Sequence, residues 1–337
     1  MFARTGRRKR HGPTVIRWGV IGPGIIATGF AEAMQLVEGG SITAVASRSS
    51  ERAQAFGDRF AIPTRYGDYD ALAADPDVDV VYVATPHSRH EVDTIGLLQA
   101  GKHVLCEKPF ALNAGQAARM AHEARERGLF LMEAIWSRFL PAYRSLVEVI
   151  GEGRIGDPIL VEADFGFRRP ADPAHRHFNP ELGGGALLDL GIYPIQLSTL
   201  VLGPIERVVA DGVVGETGVD EIVTALLHHP GERLGVVKAA LRVSMTCTAR
   251  IAGTEGVIDL PAMMHCPNSL TVSSSAGVEQ IDASYEGNGL RFEIEEVHRC
   301  LEEGRTESKV VPLDESIALA TTLDAIRAEL GVVYPGE

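Results

Sequence analysis

The sequence is short of cysteine, of basic residues and of long apolar runs, and each shortage closes off a class of protein. Four of 337 residues are cysteine: Cys106, Cys247, Cys266 and Cys300, scattered, with no CxxC pair and no clustering with histidine into a metal-ligand set. That scatter argues against a disulfide framework or a zinc site, and it fits thiols kept reduced in a cytoplasm. No uninterrupted apolar run approaches the roughly 20 residues that span a bilayer. A membrane location is therefore not expected. The 32 basic residues are outnumbered by 45 acids, for a formal net charge of -13. An acidic surface repels phosphodiester backbones, which argues against nucleic acid as a partner. The exception is the opening stretch, where Arg7, Arg8, Lys9 and Arg10 stand together. No apolar segment follows them, so residues 1–14 read as a disordered basic tail rather than an export signal.

What remains is an ordinary globular composition, 45% apolar and 23% charged. The chain is longer than one hydrophobic core usually supports, so two domains are expected. Over residues 15–134 short apolar runs alternate with amphipathic segments. Val15–Ile21, Ser41–Ser47, Val78–Ala84 and His103–Cys106 read as strands. Ile25–Leu36, Ser50–Phe60, Arg89–Ala100 and Ala114–Arg127 read as helices, the last ending at Gly128. Such alternation implies right-handed βαβ units and a doubly wound parallel sheet, the α/β Rossmann arrangement. Over residues 135–337 the texture becomes α+β. Helices are expected near Ala142–Glu152, Ala186–Leu200, Leu290–Glu303 and Glu315–Leu330. Strands are expected at Ile159–Phe167, Val208–Val214, Ile222–His228, Leu234–Ser244, Cys247–Ala252 and Leu270–Ser274. The second domain should thus hold a large, mostly antiparallel sheet, and the C-terminal helix is placed to pack back on the first domain. Val236, Leu241 and Val243 would leave an apolar sheet face open to a second copy of the chain.

Gly22-Pro23-Gly24-Ile25-Ile26-Ala27 directly follows the first strand and matches G-x-G-x-x-A. Gly22 permits the tight turn, Gly24 lets backbone approach a pyrophosphate, and Ala27 lets helix pack on strand. Ile25 and Ile26 open a helix whose free N–H groups and dipole favour phosphate. The second strand ends Ala46-Ser47-Arg48-Ser49-Ser50-Glu51-Arg52, with no acid at its tip to accept from a ribose. Arg48 and Arg52 beside a helix start call for an anion, and a 2′-phosphate supplies one. NADP is expected ahead of NAD. The alternative is two solvated arginines with serine and Glu51 capping the helix.

Ligands in open α/β sheets sit outside the carboxyl ends of the strands. Two such ends carry Thr85-Pro86-His87-Ser88-Arg89-His90 and Glu107-Lys108-Pro109. A strand-end lysine suits a substrate hydroxyl, although Lys108 reads equally as a lysine snorkelling over the sheet edge. Nothing groups as metal ligands, and the chemistry needs no metal.

Glu107-Lys108-Pro109 after that glycine loop, together with Asp189-Leu190-Gly191-Ile192-Tyr193, resembles the Gfo/Idh/MocA oxidoreductases. Residues 128–139, 184–193, 216–220 and 311–316 are similar to the branch holding dimeric dihydrodiol dehydrogenase and NADP-dependent D-xylose 1-dehydrogenase. The resemblance implies Lys108 near both nicotinamide and the reacting carbon and Tyr193 as acid/base, and Asp189 then reads as an orienter of substrate hydroxyls or of Lys108. It implies Arg48 and Arg52 on the 2′-phosphate, Trp136 and Arg138 lining the substrate pocket, and a homodimer. Arg176 and His177, in the loop before a glycine run, are weaker pocket candidates, and His87 and His90 either touch cofactor or cap a helix. A free tyrosine titrates near 10, too high for a base at neutrality, and the Lys108 ammonium and the oxidised nicotinamide are together expected to lower it. By periodicity alone Tyr193 is as readily a core tyrosine. The expected activity is NADP-dependent hydride transfer at a sugar or polyol carbon, on the pattern of D-xylose oxidation. A trans-dihydrodiol, anhydro-sugar or inositol substrate is the alternative, and a nonenzymatic dinucleotide sensor the minor one.

Overall fold

A computed structural model describes residues 15–337. The basic stretch lies outside the described residues.

The first sheet is built from β1 (Ile16–Ile21), β2 (Gly40–Ala46), β3 (Thr64–Tyr66), β4 (Val80–Val83), β5 (His103–Glu107) and β6 (Leu131–Ala134). All neighbours are parallel, in the order β3-β2-β1-β4-β5-β6. The connecting helices are α1 (Ile25–Met34), α2 (Ser50–Phe60), α3 (Tyr69–Ala73), α4 (His90–Gln99) and α5 (Ala114–Arg127). Every residue of β4 is sealed from solvent, because helices cover both faces of a doubly wound sheet. The strand order reverses between β1 and β4, which opens a crevice above their carboxyl ends. At that point Gly22 has φ +77°, and a Cβ there would lie 2.6 Å from the Ala84 carbonyl oxygen. Glycine is what lets β1 turn past the end of β4.

After α6 (Pro141–Gly151) comes a second sheet of β7 (Pro158–Gly166), β8 (Arg207–Val214), β9 (Asp220–His229), β10 (Arg233–Ala240), β11 (Ala249–Gly253), β12 (Gly256–Leu260), β13 (Ser269–Ser274) and β14 (Gly277–Asp282). Its order is β14-β13-β12-β11-β7-β10-β9-β8, antiparallel except for β7 with β10. One face, carrying Val161, Ala163, Val237 and Ala239, is buried against α7 (Ile192–Leu202). An apolar helical stretch, Pro180–Leu202, is long enough by composition to cross a membrane, but 89% of its most apolar window is buried inside this domain. Two helices close the chain, α8 (Arg291–Glu302) and α9 (Leu313–Leu330). The last packs on both β8 and α5, and Asp324 accepts from the Ala114 amide at 2.8 Å.

Several expectations need correction. The strand expected over Leu234–Ser244 stops at Ala240, and Leu241 turns inward to full burial instead of joining an exposed face. Val243 is exposed, but beyond the strand. Short β3 and α3, as well as β6, β12 and β14, were not anticipated. β14 (Gly-Val-Glu-Gln-Ile-Asp) is an exposed edge strand with no alternation to reveal it. The helix expected from Ala186 begins with a π-helical turn, Leu187–Gly191, before α7 proper. Arg138, expected in a pocket wall, is buried. Its guanidinium donates to the Gln196 side chain on α7, to the Gln196 carbonyl at 3.0 Å, and to Glu315 on α9.

That buried pair joins α7 to α9, and removing the arginine strands a half-buried carboxylate and an unsatisfied amide. Arg138→Met should lower unfolding free energy in urea by about 2 kcal/mol. A change below about 0.5 kcal/mol, as at a neutral surface site, would show that the pair contributes nothing.

Candidate active site

The carboxyl ends of β1, β2 and α1's first turn form one half of the site. The N-terminus of α1 has no side-chain cap, so its first N–H groups are free for an anion. A Cβ on Gly24 would meet nothing nearer than the Gly22 carbonyl oxygen at 3.8 Å. Ile25 is 95% exposed at the helix tip, an apolar surface left for a ligand to cover. Ser47 is buried at the end of β2, whereas Arg48 and Arg52 are exposed. Neither guanidinium is in an ion pair among the described residues. The α2 cap is supplied by Ser49, which accepts from the Arg52 amide at 3.2 Å and donates to Glu51 at 2.7 Å. An open glycine cradle and a bare helix N-terminus fit the pyrophosphate of a dinucleotide, and two exposed arginines stand beside them.

The other half brings the ends of β4, β5 and β6 against the second domain. Lys108 Nζ donates to the Asp189 carbonyl at 2.7 Å and to Asp189 Oδ1 at 3.3 Å. Arg176 grips both carboxylate oxygens at 3.2 Å, and His177 Nε2 lies 2.9 Å from Oδ2. Burial would raise the Asp189 pKa, but Lys108, His177 and Arg176 hold it well below the usual carboxylate range. The π turn that carries Asp189 is pinned at its start, where the Leu187 amide donates to Asp220 at 2.6 Å. Extra residues in a helix of this kind often re-aim functional side chains, and here Asp189 and Tyr193 both face Lys108.

Tyr193 is buried, with Lys108 Nζ 4.8 Å from its ring centroid. Its hydroxyl accepts from Trp136 Nε1 at 2.9 Å. Lys108 alone does not lower this phenol. Burial and then Glu107 push its pKa well above 10, because Lys108 spends its donors on Asp189 and meets the ring face rather than the oxygen. Glu107 accepts from the Tyr82 hydroxyl and from the Lys108 amide at 3.1 Å. Burial raises its pKa as well.

The two histidines after β4 are engaged in different ways. His90 is sealed, its ring nitrogens 2.8 Å from the Pro109 carbonyl and 3.0 Å from the Thr85 carbonyl. It is a strut between the β4 and β5 end loops and has no ring atom left for cofactor. His87 Nδ1 meets the Gly183 carbonyl at 2.8 Å, which ties the first domain to the glycine run of the second. Thr85 is buried and Pro86 half-buried beside it. Sequence reasoning missed Phe165 and His265. Their rings stack at 4.4 Å, and Phe165 lies 5.6 Å from Tyr193. No motif marks either position. No grouping suited to a metal ion occurs among the described residues.

Residues 16–135 match an oxidoreductase family with an NAD-binding Rossmann fold, and residues 143–259 match the GFO/IDH/MocA C-terminal domain. The chain belongs to the Gfo/Idh/MocA oxidoreductase family. It is 39% identical over 330 residues to trans-1,2-dihydrobenzene-1,2-diol dehydrogenase of Homo sapiens, covering 95% of this chain and 98% of the relative. It is similar in structure to a 3-ketoreductase from Actinomadura kijaniata in complex with NADP and TDP-benzene. There the TM-score is 0.83 at 29% identity, over 94% of this chain and 98% of that one. Aldose-aldose oxidoreductase from Caulobacter crescentus, complexed with glycerol, gives a TM-score of 0.85 at 25% identity, over 93% and 97% of the two chains. This Gfo/Idh/MocA protein is an NAD(P)-dependent oxidoreductase acting on CH–OH groups.

His87 offers a test of the buried site. Burial pulls its imidazole from 6.5 to about 3, so below its unfolded value the unfolded chain binds a proton that the folded chain refuses. The group's stability contribution is present above 6.5 and is lost as pH falls toward 3. Glu133 and Asp220, raised by burial to about 7 and about 6, titrate in the opposite sense, and a change at His87 leaves their contribution in place. Lowering pH from about 7.5 to about 4.5 should therefore shift the difference in unfolding free energy between His87→Gln and wild type steadily toward the variant. A difference that stays constant would contradict a neutral His87.

Proposed function

We propose that this enzyme uses NADP to oxidise, and in reverse to re-form, one hydroxyl of a cyclic vicinal diol, either a sugar such as D-xylose or a trans-dihydrodiol. The observation that carries the reading is Lys108 and Tyr193 meeting over Asp189 beside an aromatic wall of Trp136 and Phe165. Aromatic faces suit the C–H face of a sugar ring or a flat carbocycle, while the lysine and phenol suit the hydroxyl at the reacting carbon. The named activities of the relatives, a dihydrodiol dehydrogenase and sugar oxidoreductases, support the same class. NADP is favoured over NAD because Arg48 and Arg52 are exposed and in no ion pair among the described residues, where a ribose-binding acid is absent.

Bound nicotinamide would accept or return the hydride. The chain's own part is protonic and positional. Lys108, its ammonium fixed by Asp189, holds the substrate oxygen and offsets negative charge that develops there. Tyr193 exchanges the hydroxyl proton, with the Trp136 indole N–H steadying its oxygen in the deprotonated form. The raised phenol makes the protonated state the resting one at neutral pH, ready to donate during reduction. Oxidation needs the deprotonated form, so it should accelerate as pH rises.

Rates with a panel of aldoses and diols, followed by absorbance of the reduced nicotinamide, test this directly. Tyr193→Phe and Lys108→Met should each lower kcat by about 10²- to 10⁴-fold, and Tyr193→Phe should abolish the alkaline rise in oxidation. Near-wild-type turnover in both would sink the mechanism. Arg48→Ala should raise the KM for NADP and leave that for NAD unchanged; activity with NAD alone would contradict the cofactor choice.

We further infer a homodimer through the open face of the second sheet. Leu160, Leu226, Leu234 and Val236 lie on that face by register, all part-exposed. Beside them a concavity of about 500 Å³ is edged by Glu162, Asp164, Lys238 and Arg250. Apolar centre and mixed-charge rim are self-complementary, as a two-fold interface requires. Light scattering should give twice the chain mass, and Val236→Asp should halve it. A wild-type monomer would contradict the inference.

A further inference from the structure

The aromatic wall holds one polar ring that the chemistry above does not use. His265, in the loop after β12, is 7% exposed. Its ring lies 4.9 Å from that of Tyr193, with Trp136 at 5.7 Å. The main chain is fixed there, since the Ser137 hydroxyl donates to the His265 carbonyl at 2.5 Å. The imidazole is not fixed in the same way. Nδ1 is buried without a hydrogen-bond partner, and Nε2 meets a thiol, Cys266 Sγ, at 3.6 Å. Burial and the nearby Lys108 charge bring its pKa from 6.5 to about 4. The ring is therefore neutral, with one N–H to donate and one lone pair to accept.

Packing alone does not call for histidine, because phenylalanine would stack on Phe165 without burying an unpaired nitrogen. Such a nitrogen is destabilising until something bonds it. Two neighbouring groups already have partners: the Trp136 indole N–H is given to Tyr193, and Arg176 occupies both Asp189 oxygens. A diol placed with its reacting hydroxyl at Lys108 and Tyr193 brings a second hydroxyl that needs a partner.

We propose that His265 is a substrate-binding residue that hydrogen-bonds the hydroxyl adjacent to the reacting carbon, and so selects vicinal diols over isolated alcohols. The inference rests on the function proposed above. Two substrate pairs test it: trans-cyclohexane-1,2-diol with cyclohexanol, and D-xylose with its 2-deoxy counterpart. His265→Phe keeps the stacked ring and removes both nitrogens. For the diol-bearing member it should raise KM about 10- to 100-fold, with kcat held within about threefold. KM for the mono-hydroxy or deoxy member should not move, NADP affinity should stay at the wild-type value, and His265→Gln should recover part of the loss. Equal loss on both members of a pair, or no loss on either, overturns the assignment while the function stands. A wild-type enzyme that turns over no member of either pair overturns the function and this inference together.

Discussion

The active half of this protein is organised around one buried carboxylate, Asp189. An ionised carboxylate removed from water is costly unless its oxygens are paired. Here Lys108 arrives from the end of β5 in the first domain, while Arg176 and His177 come from the loop that precedes the π turn. The contact that docks the two domains is therefore the contact that aims the lysine. Lys108 is aimed by the same carboxylate that Arg176 and His177 hold, so domain docking and lysine position are coupled. The His87–Gly183 bond secures the same junction, and the Asp220 carboxylate fixes the start of the π turn that carries Asp189.

The dinucleotide half follows the opposite design. Its recognition elements are backbone and surface: a glycine cradle, an uncapped helix start, an exposed Ile25 and two exposed arginines. Nothing there needs burial before the ligand comes, because free N–H groups and guanidinium groups remain hydrated without it. The reacting half is pre-paired and dry, so its charges are already oriented when substrate arrives. That division assigns affinity for the common cofactor to the first domain and discrimination among substrates to the second.

These halves were not equally legible in the sequence. The strands and helices of the first domain could be read because βαβ alternation and the glycine loop are local signals. Lys108, Asp189 and Tyr193 could be named because short motifs carry them, although nothing in their spacing showed that they meet. Arg138 was named through the resemblance alone, and its buried partners, Gln196 and Glu315, come from distant helices that no local pattern connects to it. Leu241 misled because alternation continued past the point where the chain bends. His265 was invisible for a deeper reason. Its role depends on Phe165 and Tyr193, residues far away in sequence, and no local pattern distinguishes it from any other loop histidine.

The proton balance of the site follows from the same charge arrangement. Tyr193, Glu107 and Glu293 are all pushed toward their neutral forms by burial, whereas Asp189 alone among these acids is driven toward its charged form. The difference lies in partners: the cations gather on Asp189, and both carboxylate oxygens of Glu293 have none. A second anion, whether phenolate or a developing alkoxide, must then share the Lys108 ammonium with Asp189. That sharing is feasible because Arg176 and His177 continue to hold the carboxylate as Lys108 shifts toward the substrate oxygen. Without them Lys108 would serve only to keep Asp189 ionised, and the proton of Tyr193 would have nowhere favourable to go.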